Sequence, residues 1–238
     1  MIQERLLRTA SQTVLLYYSN DFMLGLALHT TSPQLGLRLQ TVEPNANEAV
    51  EKHQVWNLGR EVSSQLHTKL VEFMAPYAWA DLSFVAVAQG PGGFTGTRIG
   101  VVVARTFAQQ LDIPLFGVST LAAIAASNQA DTSRESDSQD IAVMMPAKRE
   151  AVFAGIYRPE GKGNLRVVLE DAVIPQDEWE QTLQTWEQPY LLAKTEVGEG
   201  IADSVAGVMQ LARSRWEAGE RPDWSSVMPF YGQHPVNR

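Results

Sequence analysis

Apolar and polar positions along the chain change period several times, and the changes mark out its elements. Leu24–Thr30 is a continuous apolar run of strand length. Leu35–Val42 alternates with period two across a polar turn at Thr31–Gln34, so the pair predicts a hairpin. A strand at Ala49–Val55 extends it. From Asn57, a residue type suited to a helix N-cap, Leu58, Val62, Leu66, Leu70 and Phe73 recur at helical spacing and predict one amphipathic helix. Phe84–Ala88 is a buried strand, Thr97–Leu111 a buried helix stopped by Asp112 and Pro114, and Leu115–Val118 another strand. Ser119 caps an alanine-rich helix at Leu121–Ala126.

Gln129–Asp140 is polar and reads as a solvated loop and a boundary. Beyond it, strands are expected at Ile141–Met145, Val152–Tyr157, Leu165–Leu169 and Tyr190–Ala193, with a short helix at Gln176–Thr185. A last helix runs from Ile201 to Ala218, turning Ile201, Val205, Val208, Leu211 and Trp216 inward, and the tail from Arg221 is extended. Strands alternating with helices in this order give an α/β protein with mixed sheets flanked by helices. The division expected is an N-terminal extension at 1–22, a first subdomain at 23–126, and a second at 127–238 whose last helix, about 201–218, returns to the first.

Composition narrows the chemistry. Apolar residues make up 45% and charged residues 19%, which is ordinary globular usage. A net charge of −8 argues against a chain that coats nucleic acid by itself, though not against membership of a complex that holds RNA. With no cysteine, disulfides, thiolate metal sites and a cysteine nucleophile are excluded. No apolar run reaches membrane-spanning length. The start, with its short Val14–Tyr18 patch, is read as an extension or loose arm rather than a targeting segment.

The richest local signal is Gly90–Gly100, between a predicted strand and a predicted helix. It lacks the Lys-Ser or Lys-Thr of a P-loop, and Thr95 stands where a dinucleotide fingerprint needs its third glycine. Three readings stay open. It is a tight turn that needs glycine's backbone freedom. It is an anion site, with Gly92, Gly93, Thr95 and Thr97 as a phosphate or nucleotide turn and Arg98 as a further donor. Or Gly96, Gly100 and Ala104, four apart, form a small-residue strip for close helix approach.

The run GPGGFTGTRIGVVVARTFAQQLDIPLFGVSTLAAIA, Gly90–Ala125, resembles the signature segment of the TsaB (YeaZ) family, Gly-Pro-Gly-x-Phe-Thr-Gly-x-Arg-x-Gly followed by Gly-Val-Ser-[ST]-Leu. Leu26–Ser32 resembles its opening strand, the helix with Gly59-Arg60-Glu61 and His67 its first helix, and Pro229-Phe230-Tyr231 its terminal motif. The similarity is dense from Met23 to about Ala126 and thins after that. It implies an actin/hexokinase-like (ASKHA) fold of two related subdomains. It also implies a cytoplasmic, non-catalytic subunit for making threonylcarbamoyladenosine beside the anticodon of tRNAs reading codons that begin with A.

By the same resemblance the partners are a catalytic TsaD-type paralogue and a TsaE-type ATPase, with tRNA met through the complex, a homodimer in isolation, and no membrane. Leu58, Val62, Leu66, Gly96, Arg98, Gly100 and Ala104 would meet TsaD. No catalytic residue, metal ligand or cofactor is expected beyond weak or vestigial ATP or ADP binding.

The residues support the non-catalytic reading. His29, His53, His67 and His234 include no pair one helical turn apart, so the catalytic relative's histidine metal site cannot form. His29 stands where ASKHA enzymes place an aspartate, and a neutral imidazole cannot replace a carboxylate on Mg²⁺. Nothing supports peptide cleavage. Arg60–Glu61 and Lys148-Arg149-Glu150 read as solvated charge clusters, the second a candidate to face tRNA or a partner. The alternatives are a stand-alone ASKHA ATPase or phosphotransferase, and a homodimeric interaction protein with another client.

Overall fold

Strand β1 (Leu24–His29) is buried along its whole length and alternates its core: Leu24, Leu26 and Leu28 enter one cluster while Ala27 enters another. A strand covered on both faces reads as a continuous apolar run, which is how it looks in the sequence. The computed structural model describes residues 23–42, 49–131, 139–161, 163–195 and 200–232. The extension expected at 1–22 and most of the loop expected at 129–140 lie outside the described residues.

β2 (Gln34–Thr41) pairs antiparallel with β1 and with β3 (Glu51–Asn57), while β4 (Leu82–Ala88) and β5 (Leu115–Val118) add in parallel, giving the order β3-β2-β1-β4-β5. The second sheet repeats this logic. β6 (Asp140–Pro146) and β7 (Ala151–Pro159) form a hairpin, β8 (Leu165–Pro175) joins β7 antiparallel, and β9 (Tyr190–Lys194) joins β6 in parallel, giving β8-β7-β6-β9. Two mixed sheets, each a three-stranded meander with parallel strands added beyond the first, are the actin/hexokinase-like arrangement of two related subdomains.

Helices fill the layers. On one face of the first sheet lie α1 (Val62–Met74) and α2 (Phe94–Leu111), through Leu66, Leu70, Phe73, Val101, Ala104 and Ala108. α3 (Thr120–Asp131) packs Leu121, Ile124 and Ala125 on Ile141, Val143 and Met145 of the second sheet, whose other face meets Trp179 of α4 (Gln176–Gln184). α5 (Val205–Glu217) follows the second sheet in sequence but packs Val205, Val208, Met209 and Ala212 on Ala27, Phe84, Ala86 and Phe116 of the first. α3 and α5 meet where the Hα side of Gly207 faces the Ala123 carbonyl, too close for any side chain.

Several local expectations are corrected. Asn57 does not cap a helix; it ends β3 and accepts a hydrogen bond from Gln34 at 2.6 Å. Gly59, at φ +57°, then turns the chain into a 3₁₀ segment, Gly59–Glu61, before α1. α2 begins at Phe94 rather than Thr97. β8 continues through Glu170 and Asp171 to Pro175, because β7 holds it in register. The first residues of the polar 129–140 run belong to α3. The last helix is split into a 3₁₀ turn, Ile201–Ser204, and α5, with Ala202 packed under Gly36.

Candidate functional site

The end of β1, the turn after β4 and the starts of α2 and α3 converge at one place. Gly92 lies against Thr31, Gly96 against the Thr30 carbonyl and Gly100 against the Thr30 hydroxyl, each so close that a Cβ would overlap. Thr30 donates to the Gly96 carbonyl at 2.8 Å, and the Gly93 N–H donates to the Thr31 carbonyl at 2.6 Å. Glycine is required here for close backbone approach, the first of the three readings.

That packing takes up donors of two of the turn's residues. The Gly93 N–H is spent on Thr31, and both the N–H and hydroxyl of Thr97 donate to the Gly93 carbonyl at 2.9 and 2.8 Å. The Thr120 N–H donates to the Gly90 carbonyl at 2.8 Å, so α3 starts on the same turn. Of the four residues expected to cradle phosphate, Gly92 is filled by Thr31, Gly93 and Thr97 bond inward, and Thr95 faces solvent.

His29 is fully buried, neither ring nitrogen has a hydrogen-bond partner, and burial pushes its pKa down to about 3. An actin/hexokinase-like fold implies a Mg²⁺-nucleotide between its subdomains, and these residues do not fit one. A neutral, sealed imidazole offers no anionic oxygen, and the Gly93 and Thr97 amides bond inward. Among the described residues no three His, Asp or Glu side chains gather as metal ligands.

The residues expected to meet a partner separate into two groups. Leu66 and Ala104 are fully buried, Val62 and Gly100 are buried, and Leu58 packs on the first core. Gly96, Gly100 and Ala104 face β1 and the chain's own core, so this strip is not an outward surface: small residues here let α2 sit close on its own sheet. Arg98 alone of the set is exposed, with its guanidinium over the Phe94 ring at 5.3 Å. The outward side of the α1–α2 layer carries Val71, 63% exposed, and Val102, 60% exposed.

The sequence reading also passed over a polar cluster joining the two halves. Ser119 caps α3, accepting from the Leu121 and Ala122 N–H groups at 3.0 and 3.2 Å, and donates its proton to Asp171 of β8. Tyr157 of β7 donates to the other oxygen of Asp171. Burial raises the pKa of Asp171 and of Tyr157. An acidic pair, Glu170-Asp171, between the apolar residues of Val167–Leu169 and Ala172–Ile174 was the signal available for it. A second buried acid, Asp140, is held below the usual carboxylate range by hydrogen bonds from Arg158 at 2.6 and 2.8 Å, with Trp186 donating at 3.0 Å.

Residues 64–196 match the family described as TsaD, tRNA N6-adenosine threonylcarbamoyltransferase. The chain is 33% identical to the "tRNA threonylcarbamoyladenosine biosynthesis protein TsaB" of Bacillus subtilis over 162 residues, which cover 67% of this chain and 65% of that protein. It is 37% identical to the TsaB of Buchnera aphidicola (subsp. Schizaphis graminum) over 89 residues, covering 37% of this chain and 40% of that one. The chain thus spans less than two thirds of the length of both relatives. Its fold is that of YeaZ from Pseudomonas aeruginosa, with a TM-score of 0.65 at 22% identity over 88% of this chain and 99% of that one.

Proposed function

Since the chain belongs to the TsaD family of tRNA N6-adenosine threonylcarbamoyltransferases, we propose that it acts there as the TsaB-type, non-catalytic subunit. It binds and activates a catalytic TsaD-type paralogue that transfers threonylcarbamoyl to the adenosine beside the anticodon. A TsaE-type ATPase joins the pair, tRNA is met through the complex, and the work is done in the cytoplasm. Among the described residues no helix is long and apolar enough to cross a membrane.

The observation that carries the partner reading is the outward face of α1 and α2. Val71 and Val102 are large apolar side chains left in water on adjacent elements of one layer. Apolar side chains exposed on both helices of one layer are what a protein partner would cover. The same face closes a homodimer when the catalytic subunit is absent. Against the ATPase and phosphotransferase alternative stand the buried, unpartnered His29 and the inward bonds of Gly93 and Thr97.

Depleting the chain from its host is expected to remove the modified nucleoside from tRNA hydrolysates, and tagged chain is expected to co-purify a TsaD-type protein. Normal nucleoside levels after complete depletion would overturn the proposal.

A further inference from the structure

A short segment near the end of the described chain crosses from one subdomain to the other. Val227 is buried in the core of the first sheet and lies over Gly117 of β5, where a Cβ would come within 2.9 Å of it. The Phe230 N–H donates to the Gln89 carbonyl at 2.7 Å, just beyond β4. The Phe230 carbonyl oxygen rests on the Hα side of Gly90, which holds φ +108° and has no room for a side chain. Tyr231 lies against Phe94, the first residue of α2, with ring centroids 4.7 Å apart, and Arg98 covers the same ring. Gly232, at φ +60°, then meets Phe153 of β7 and Val173 of β8; a Cβ there would lie 2.8 and 3.1 Å from them.

We propose that residues 227–232 are a strap that ties the second sheet to the glycine-rich turn and to the start of α2, holding the two subdomains closed against each other. The geometry has three anchors in sequence. One is in the first sheet, one is on the turn through backbone, and one is in the second sheet where Phe153 and Val173 are register partners. Beside the strap, and beside the contact of α3 with α5, the Ser119–Asp171–Tyr157 cluster also crosses the same gap. The middle anchor is small, one backbone hydrogen bond and one aromatic contact, with Phe94 still 43% exposed. Interactions of that size are released and remade without unfolding a core. Release would loosen the turn that positions α2, so the strap couples the angle between subdomains to the helix on the outer layer.

The test is amide hydrogen exchange on the isolated chain, which needs no partner and so stands apart from the functional proposal. A chain ending at Met228 keeps Val227 in the core but lacks the two outer anchors. Its amides at Gly93, Thr97 and Thr120, and those of β7 and β8 near Phe153 and Val173, are expected to exchange at least tenfold faster. Those of β1 and β2 should be unchanged. A chain ending at Gly232 is expected to exchange like the full chain. Tyr231→Ala in the full chain is expected to move the same amides in the same direction by a smaller factor, and it decides the matter should the shorter chain fail to fold. Unchanged exchange at the turn and in β7–β8 would overturn the strap.

Discussion

Thr30 and Gly96 hold each other in both directions: the Thr30 hydroxyl donates to the Gly96 carbonyl at 2.8 Å, and the Thr30 carbonyl fills the space where a Gly96 side chain would begin. This pairing fixes α2 to the end of β1 and decides which side of α2 remains for anything else.

Gly96→Ala is therefore expected to destabilise the chain even though alanine is the better helix former. The added methyl meets a backbone carbonyl that cannot move cheaply, and overpacking of this kind costs about 1–3 kcal/mol. The opposing gain in helix propensity is at most about 1 kcal/mol. Urea unfolding should show a net loss, and an unchanged or raised midpoint would refute the close approach.

Substitutions on the two sides of α2 should behave oppositely. Val102→Glu changes an exposed residue, so stability is expected to hold within about 0.5 kcal/mol. Its affinity for a TsaD-type subunit, measured by calorimetry or pull-down titration, should drop at least tenfold. Ala104→Leu, by contrast, should lower stability, because Ala104 has no exposure. Partner binding that survives Val102→Glu would move the interface away from this layer.

His29 makes a prediction with a definite sign. Its folded pKa, about 3, lies below its ordinary value of 6.5, so the unfolded chain takes up the proton first. Stability from this source is complete above pH 6.5 and declines as the pH falls from there toward 3, by about 1.4 kcal/mol for each pH unit in that window. His29→Leu removes two unpartnered nitrogens from an apolar site, and at pH 7 should be neutral or stabilising. Its unfolding free energy should also fall less between pH 6 and 4 than that of the parent chain. A steeper fall, or a large loss at pH 7, would show that the imidazole has a partner.

Asp171 is the acceptor for two donors from different elements, and its removal leaves both without it. Asp171→Ala is expected to cost about 1–3 kcal/mol, since the Tyr157 hydroxyl is almost wholly buried. A double-mutant cycle with Tyr157→Phe should show the two losses to be non-additive. Strict additivity would mean the hydrogen bond contributes nothing.

Much of this was legible in the chain itself, for identifiable reasons. β1, β4 and β5 are short apolar runs bounded by turn residues, and a strand buried on both faces can hardly be written otherwise. Ser119 caps α3 because its own hydroxyl reaches its own helix, a local interaction. The Gly90–Gly100 spacing carried a family resemblance. Each of these depends on residues near one another in sequence.

What tertiary structure alone decided was direction. Gly96, Gly100 and Ala104 form a strip at helical spacing whether it faces another protein or the chain's own β1. The choice follows from Thr30 and Thr31, more than 60 residues earlier, filling the space beside it. Likewise Asp171 finds Ser119, and Phe230 finds Gln89, only because helices hold the two sheets together and the chain's last described segment runs between them. Sequence determined which segments bury apolar surface and where glycine is needed. Which neighbour each glycine admits was set by the packing of distant segments, a property of the folded whole.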